Sequence, residues 1–340
     1  MKNKYFKILL NIFIILIVLL IVLYFSLKDN YKEIINTIFT MDPLYLISAI
    51  ILLLLYRIIT SISYYNIIKI NKEKVPFIKC ILINFIVLFF HGVTPFAGGG
   101  QPVEIYLLHK EKISLTKSTN ITLQNFIVYQ IALVLINIFA LIYNNLYNIF
   151  PEDNIIKKLV LLGFIINLSI LLISFFLSHA KKTQKTLSNK IIQLLSKLKL
   201  IKDEEKTNLK INKYLTNFHE NATKLKNNKT TLIKSIILNI ISLFILYTIP
   251  YTISKGMNIE ISLINSIVST TYVMIIGSFI PIPGGTGGIE YSFIFFFGYL
   301  IKGSITNALM LVWRFITYYL GMILGGIALL LYRKEVNKWE

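Results

Sequence analysis

Eight apolar runs, most of them near the length needed to cross a bilayer, divide this sequence, and no other feature restricts its fold as much. They lie near residues 6–27, 44–65, 77–93, 120–145, 156–178, 231–250, 262–280 and 304–332, with a shorter apolar piece at 291–301. A helix needs roughly 20 residues to cross about 30 Å of hydrocarbon, and it satisfies its own backbone groups there. Charged residues are 15% of the chain, against roughly 25% in a soluble domain. The sequence therefore predicts an all-α integral membrane protein. The first run follows Lys2, Lys4 and Lys7 and meets no small-residue cleavage site, so it reads as a retained helix rather than a secretory signal.

Loop charge sets the orientation, because lysine and arginine favour the cytoplasmic side. The N-terminus, Lys69, Lys72 and Lys74, the stretch 109–117, and the tail from Arg333 are basic and read as inside. Loops 28–43, 146–155 and 251–261 read as outside. Region 179–230, with thirteen lysines against four acids, must also be inside. Two inside loops then flank 77–93, so that segment cannot simply cross. The solution is six full transmembrane helices plus two re-entrant hairpins, the first entering from the cytoplasm and the second from outside. The chain divides into a first helix with its outer loop (1–43), a first half (44–145), a fifth hydrophobic segment (146–178), a basic cytoplasmic region (179–230), a second half (231–332) and a cytoplasmic tail (333–340). Both termini are expected in the cytoplasm of a bacterial cell.

A repeated motif sits at the two returns. Residues 95–104 read Pro-Phe-Ala-Gly-Gly-Gly-Gln-Pro-Val-Glu, and 281–290 read Pro-Ile-Pro-Gly-Gly-Thr-Gly-Gly-Ile-Glu. Proline stops the incoming helix, and glycine lets the backbone reverse. The residues concerned are Pro95, Gly98, Gly99 and Gly100 in the first copy. In the second they are Pro281, Pro283, Gly284, Gly285, Gly287 and Gly288. Irregular backbone at membrane depth survives only beside protein or a water-filled cavity. Two such breaks in oppositely oriented halves are the mark of an inverted-repeat transporter.

Four ionisable residues fall within apolar stretches: Arg57, Glu104, Glu290 and Arg314. Each needs a partner or a polar cavity. The glutamates, placed where the returning helices begin, either cap those helices or face the arginines or a cationic headgroup in a central cavity. The arginines are either structural ion pairs or a site for phosphate, which the guanidinium fork can bind through two oxygens. His91, Gln101, Gln124, Asn125 and Gln130 are candidates to line such a cavity or to join helices. An anionic phospholipid or a polyprenyl phosphate fits that chemistry.

The net charge of +19 suits an anionic membrane surface, and nucleic acid is not expected. Ile191, Ile192, Leu194, Leu195, Leu198 and Ile201 form an apolar face among lysines, as a helix lying on such a surface would. One cysteine, Cys80, and four scattered histidines offer no metal-ligand spacing. No catalytic residues and no cofactor are expected.

Three segments carry a resemblance: Gly99–Leu108, Pro283–Glu290 and Val312–Tyr319. They are similar to the flippase-like transmembrane domain of lysylphosphatidylglycerol synthases, the multiple peptide resistance factor family. The resemblance implies transfer of an aminoacylated phospholipid such as lysylphosphatidylglycerol between leaflets, resistance to cationic antimicrobial peptides, and a homodimer. Full-length members continue into a cytoplasmic domain that transfers lysine from lysyl-tRNA to phosphatidylglycerol. That domain and its lysyl-transfer activity are not expected in the residues up to Glu340. A lipid translocator is therefore expected. The alternatives are a phosphatidylglycerol lysyltransferase or the membrane subunit of a separately encoded synthase, and a lipid-binding anchor.

Overall fold

The computed structural model describes residues 31–150, 154–179 and 227–336, with single positions between 186 and 209. The expected first span and most of the basic cytoplasmic region lie outside these residues. In chain order the helices are α1 (Tyr31–Phe39), α2 (Pro43–Ile70), α3 (Phe77–Val93), α4 (Gly100–Lys110), α5 (Leu115–Tyr147) and α6 (Asn154–His179). They continue with α7 (Lys229–Gly256), α8 (Leu263–Gly277), α9 (Gly288–Gly298), α10 (Ile305–Arg314) and α11 (Gly321–Val336). No strand occurs among the described residues.

Among the described residues five helices are long and apolar enough to cross a membrane: Pro43–Ile70, Leu115–Tyr147, Ile155–Phe176, Lys229–Gly256 and Ile305–Tyr332. The last joins α10 and α11 through a π-helical turn, Phe315–Leu320. Two apolar helices are shorter, Phe77–Val93 and Leu263–Gly277. Helix α7 runs past the expected end at residue 250 with Pro250 inside it. The missing N–H costs one backbone bond, and Ile253, fully buried in the core, anchors the turn beyond it.

Local chemistry fixes the helix starts. Asp42 accepts from the Leu44 N–H at 2.9 Å, and Pro43 occupies the first turn of α2, where no N–H is needed. Helix α6 leaves Leu161, Leu162, Ile165, Leu172, Ile173 and Phe176 exposed. A surface that apolar is stable only against lipid or protein.

The two halves interleave rather than sit side by side. Helix α2 lies along α7, α3 along α11, and α5 against both α7 and α8, while the two Gly-rich turns touch each other. Asn239 of α7 donates to the Ser63 hydroxyl of α2 at 2.9 Å, and Asn71, which caps the end of α2, donates to the Gln124 carbonyl oxygen of α5 at 2.8 Å. Such bonds join helices where apolar burial alone gives no driving force. Aromatic packing fixes the second turn from behind. Phe293 stacks on Phe297 and on Trp313, with centroids 4.0 and 4.7 Å apart, so α9 is held to the helix that carries Arg314. At the other end of the first half, Lys79 pairs with Glu111 at 2.7 Å, and the Tyr332 hydroxyl of α11 donates to the same carboxylate at 2.7 Å.

Candidate functional site

The two Gly-rich turns share the first four residues of their backbone course and then differ, Gly98 and Gly99 being right-handed where Thr286 is extended and Gly287 has positive φ. An extended residue, Thr94 or Ile282, precedes a proline, Pro95 or Pro283. Two residues of positive φ follow, Phe96 and Ala97 in the first turn and Gly284 and Gly285 in the second. Helices α4 and α9 then begin at Gly100 and Gly288. In the first turn the left-handed residues are not glycine, which costs about 1–2 kcal/mol each. Thr94 offsets part of this, since its hydroxyl accepts from Gly99 N–H at 2.9 Å and donates to the Phe90 carbonyl at 2.7 Å.

This shared course is two residues out of step with the repeated motif. Conformation matches Pro95 with Pro283, whereas the motif matches Pro95 with Pro281. The two glutamates therefore fall at different places on their helices. Glu290 is the third residue of α9, where a carboxylate reaches back to the cap. Glu104 is the fifth residue of α4, beyond reach of its own helix end.

Glu290 is fully engaged. One oxygen accepts from Gly287 N–H at 2.6 Å; the other accepts from Arg314 Nε at 2.6 Å. The two side chains are 4% and 7% exposed, so each charge depends on the other. Arg314 also donates to the Gly284 carbonyl at 2.6 Å, and its guanidinium lies 4.3 Å from the centre of the Tyr318 ring. Tyr318 in turn donates to the Gly92 carbonyl at the end of α3, at 2.9 Å. This chain of contacts runs from the second turn into the first half.

Glu104 and Arg57 form no ion pair. Glu104 is 5% exposed. Tyr64, Thr122 and Asn125 face its carboxylate, yet Oε1 and both hydroxyls are left without a hydrogen bond of good geometry. Arg57 donates from Nη1 to the Asn84 side chain at 2.9 Å and lies over the Tyr56 ring at 4.7 Å, while its buried Nε has no partner.

Two cavities meet around Arg57. The smaller, about 150 Å³, runs from Arg57 to Glu104 past Asn84, His91 and Gln101. The larger, about 400 Å³, lies between the turns and is lined by Arg57 and Arg314, by Phe96 and Ala97 of the first turn, and by Gly284 and Gly285 of the second. His91 and Gln101 line both. The His91 ring packs directly over Gly100, leaving no room for a Cβ, and its Nε2 is buried without a partner. Gln130 lines the larger cavity and donates to Asn167 of α6. Gln124 is turned instead to Asn71 and Asn120 and joins helices. Sequence reasoning singled out neither Asn84 nor Tyr318 as part of a cavity. A neutral amide and a tyrosine in apolar helices carry no charge signal, and only the packing brings them to the arginines.

Gly284 has φ of +65°, and a Cβ there would overlap the Tyr318 ring. Gly284→Ala meets backbone strain of about 1–2 kcal/mol and must also displace the ring beneath Arg314. The expected result is a lower unfolding midpoint in detergent, reversed in part by Tyr318→Ala, which opens the space. No recovery in the double variant would place the cost in the backbone alone.

The family described as the lysylphosphatidylglycerol synthase TM region matches residues 8–325. The chain is also similar to the UPF0104 membrane protein of Methanocaldococcus jannaschii. The two are 26% identical over 339 residues, covering 95% of this chain and 94% of that protein.

Proposed function

The chain belongs to the family of the lysylphosphatidylglycerol synthase transmembrane region, and from that premise we propose that it moves a phosphate-bearing lipid headgroup between leaflets through the cavity at the two turns. The observation that carries the reading is Arg57. It is a cation deep in an apolar helix, without a carboxylate partner, lining the cavity where both turns meet. Arg57 is half-buried, and an unpaired charge at membrane depth is costly; a phosphate would supply both the counter-charge and acceptors for the guanidinium fork. Arg314, by contrast, is committed to Glu290 and Gly284. Its role is to hold the second turn in shape.

The two turns are re-entrant in this reading, each reaching the middle of the membrane from its own side. Its support is the pairing of a short apolar helix with each turn and the backbone course that the turns share over four residues. The contacts are also reciprocal, since α2 meets α7, and α3 on α11 is answered by α8 on α5. That is the pattern of an inverted repeat. With the expected first span the helices make six crossings and two returns, with both termini in the cytoplasm of a bacterial cell. The headgroup is an anionic or aminoacylated phospholipid.

The test is leaflet-resolved lipid movement in liposomes carrying the purified protein. Fluorescent phosphatidylglycerol, its lysyl ester and a polyprenyl phosphate are compared. One lipid class moves well above protein-free liposomes. If none moves, with insertion confirmed and both orientations present, the translocator reading fails.

A further inference from the structure

We propose that the carboxylate of Glu104 is the seat of a monovalent cation, a proton or a sodium ion, whose occupancy is linked to anion binding at Arg57. The inference deepens the reading above and rests on it only for the natural identity of the anion.

One cavity of about 150 Å³ is lined both by the buried carboxylate of Glu104 and by the half-buried guanidinium of Arg57. They do not pair, and each keeps a buried atom without a partner, Oε1 of Glu104 and Nε of Arg57. Buried charges persist when they are paired or hold an ion. The two groups therefore call for separate counter-ions of opposite sign.

The Glu104 side of the cavity is built for a small cation. Tyr64 of α2 and Thr122 and Asn125 of α5 face the carboxylate within hydrogen-bonding reach, and the buried Tyr64 and Thr122 hydroxyls are bound to no other group. Oxygens from three helices thus converge on one negative charge. A divalent ion of the calcium or magnesium type draws on more oxygen ligands and usually more carboxylates, so a single charge indicates a monovalent one. The other groups here that carry charge or titrate are Tyr56 and Arg57 from α2, His91 from α3 and Tyr129 from α5. Cys80 of α3 and Tyr332 of α11 stand behind Tyr64, and α7 contributes only the neutral Asn239. None of them is bonded to Glu104 Oε1.

Opposite charges in one small cavity reinforce each other. An anion at Arg57 cancels the positive field that opposes a cation at Glu104, and by linkage the cation favours the anion to the same degree. The phosphate and its cation then enter the apolar region as a neutral set.

Infrared spectra of the purified protein on a pH ramp test this without any lipid having to move. In choline chloride, the carbonyl band of a protonated carboxylic acid is expected and disappears as pH rises. The band is missing in Glu104→Gln and retained in Glu290→Gln, whose carboxylate is paired with Arg314. Exchanging choline for sodium at constant pH removes the band if the site takes Na⁺ and leaves it if the site takes only H⁺. Added inorganic phosphate makes the cation harder to remove by about fivefold to a hundredfold in its concentration; Arg57→Met abolishes that shift. Tyr64→Phe, which removes one oxygen ligand and no charge, moves the titration without erasing it, so the test survives misfolding of Glu104→Gln. A Glu104 carboxylate that stays ionised across the ramp and ignores sodium overturns the proposal. So does a phosphate shift that is absent, or unchanged in Arg57→Met. A titrating Glu104 in a protein that moves no lipid keeps the cation site and ends the translocator reading.

Discussion

Replacing Arg314 by alanine lowers the unfolding free energy of the detergent-solubilised protein by about 3–5 kcal/mol, the usual cost of leaving one member of a buried ion pair alone. The change strands the Glu290 carboxylate, which is 4% exposed, and it removes the donor to the Gly284 carbonyl. It also takes the cation from the face of Tyr318. The double variant Glu290→Leu with Arg314→Met should recover most of the loss, since no buried charge is then left unpaired. What remains is the Gly287 N–H that Glu290 satisfied, a cap interaction of about 1 kcal/mol. Chemical denaturation of the three proteins makes the comparison. If Arg314→Ala lies within about 1 kcal/mol of wild type, the span expected of an exposed pair, the ion pair does not hold the second turn.

The other arginine behaves in the opposite sense. Arg57→Met leaves stability unchanged or raises it, because the substitution removes a half-buried charge that has no carboxylate partner and whose buried Nε makes no bond. Lipid movement should nonetheless fall by at least about a hundredfold, since two charge-assisted bonds to a phosphate contribute about 1.5–3 kcal/mol each. Arg57→Lys keeps the charge and loses the planar fork, so its rate should lie between the two. Stability lost at Arg314 and transport lost at Arg57 would separate the structural arginine from the one that meets the headgroup. A variant Arg57→Met that unfolds as readily as Arg314→Ala, or one that moves lipid at the wild-type rate, would remove that distinction.

Much of the helical layout was legible because apolar length is a one-dimensional property. The expected runs at 44–65, 120–145, 156–178, 231–250 and 304–332 each lie within or close to a helix long enough to cross. The short run at 77–93 coincides with Phe77–Val93. The site was less legible. The motif gave Glu104 and Glu290 the same spacing and so suggested the same task. Their tasks are set instead by where each helix starts after the turn, and that depends on which residues take positive φ. In the second turn these are Gly284, Gly285 and Gly287; in the first they are Phe96 and Ala97. Glycine content did not reveal this, because the three glycines of the first turn are not its left-handed residues. The identity of the paired arginine was equally hidden, since Arg57 and Arg314 look alike in the sequence. What divides them is the Gly284 carbonyl and the Asn84 amide, which only the fold brings near.

The interleaving of the two halves also imposes a schedule on synthesis. Helix α3 packs along α11, and its last turn is held by Tyr318, more than two hundred residues further along the chain. At about 5–20 residues per second, α3 waits roughly ten to fifty seconds for the surface that completes it. Arg57 and Glu104 are already made by then, with no ion pair to cover either. The nascent first half is therefore a dependent intermediate, in need of the translocation machinery or a lipid headgroup until the ribosome has delivered its other half.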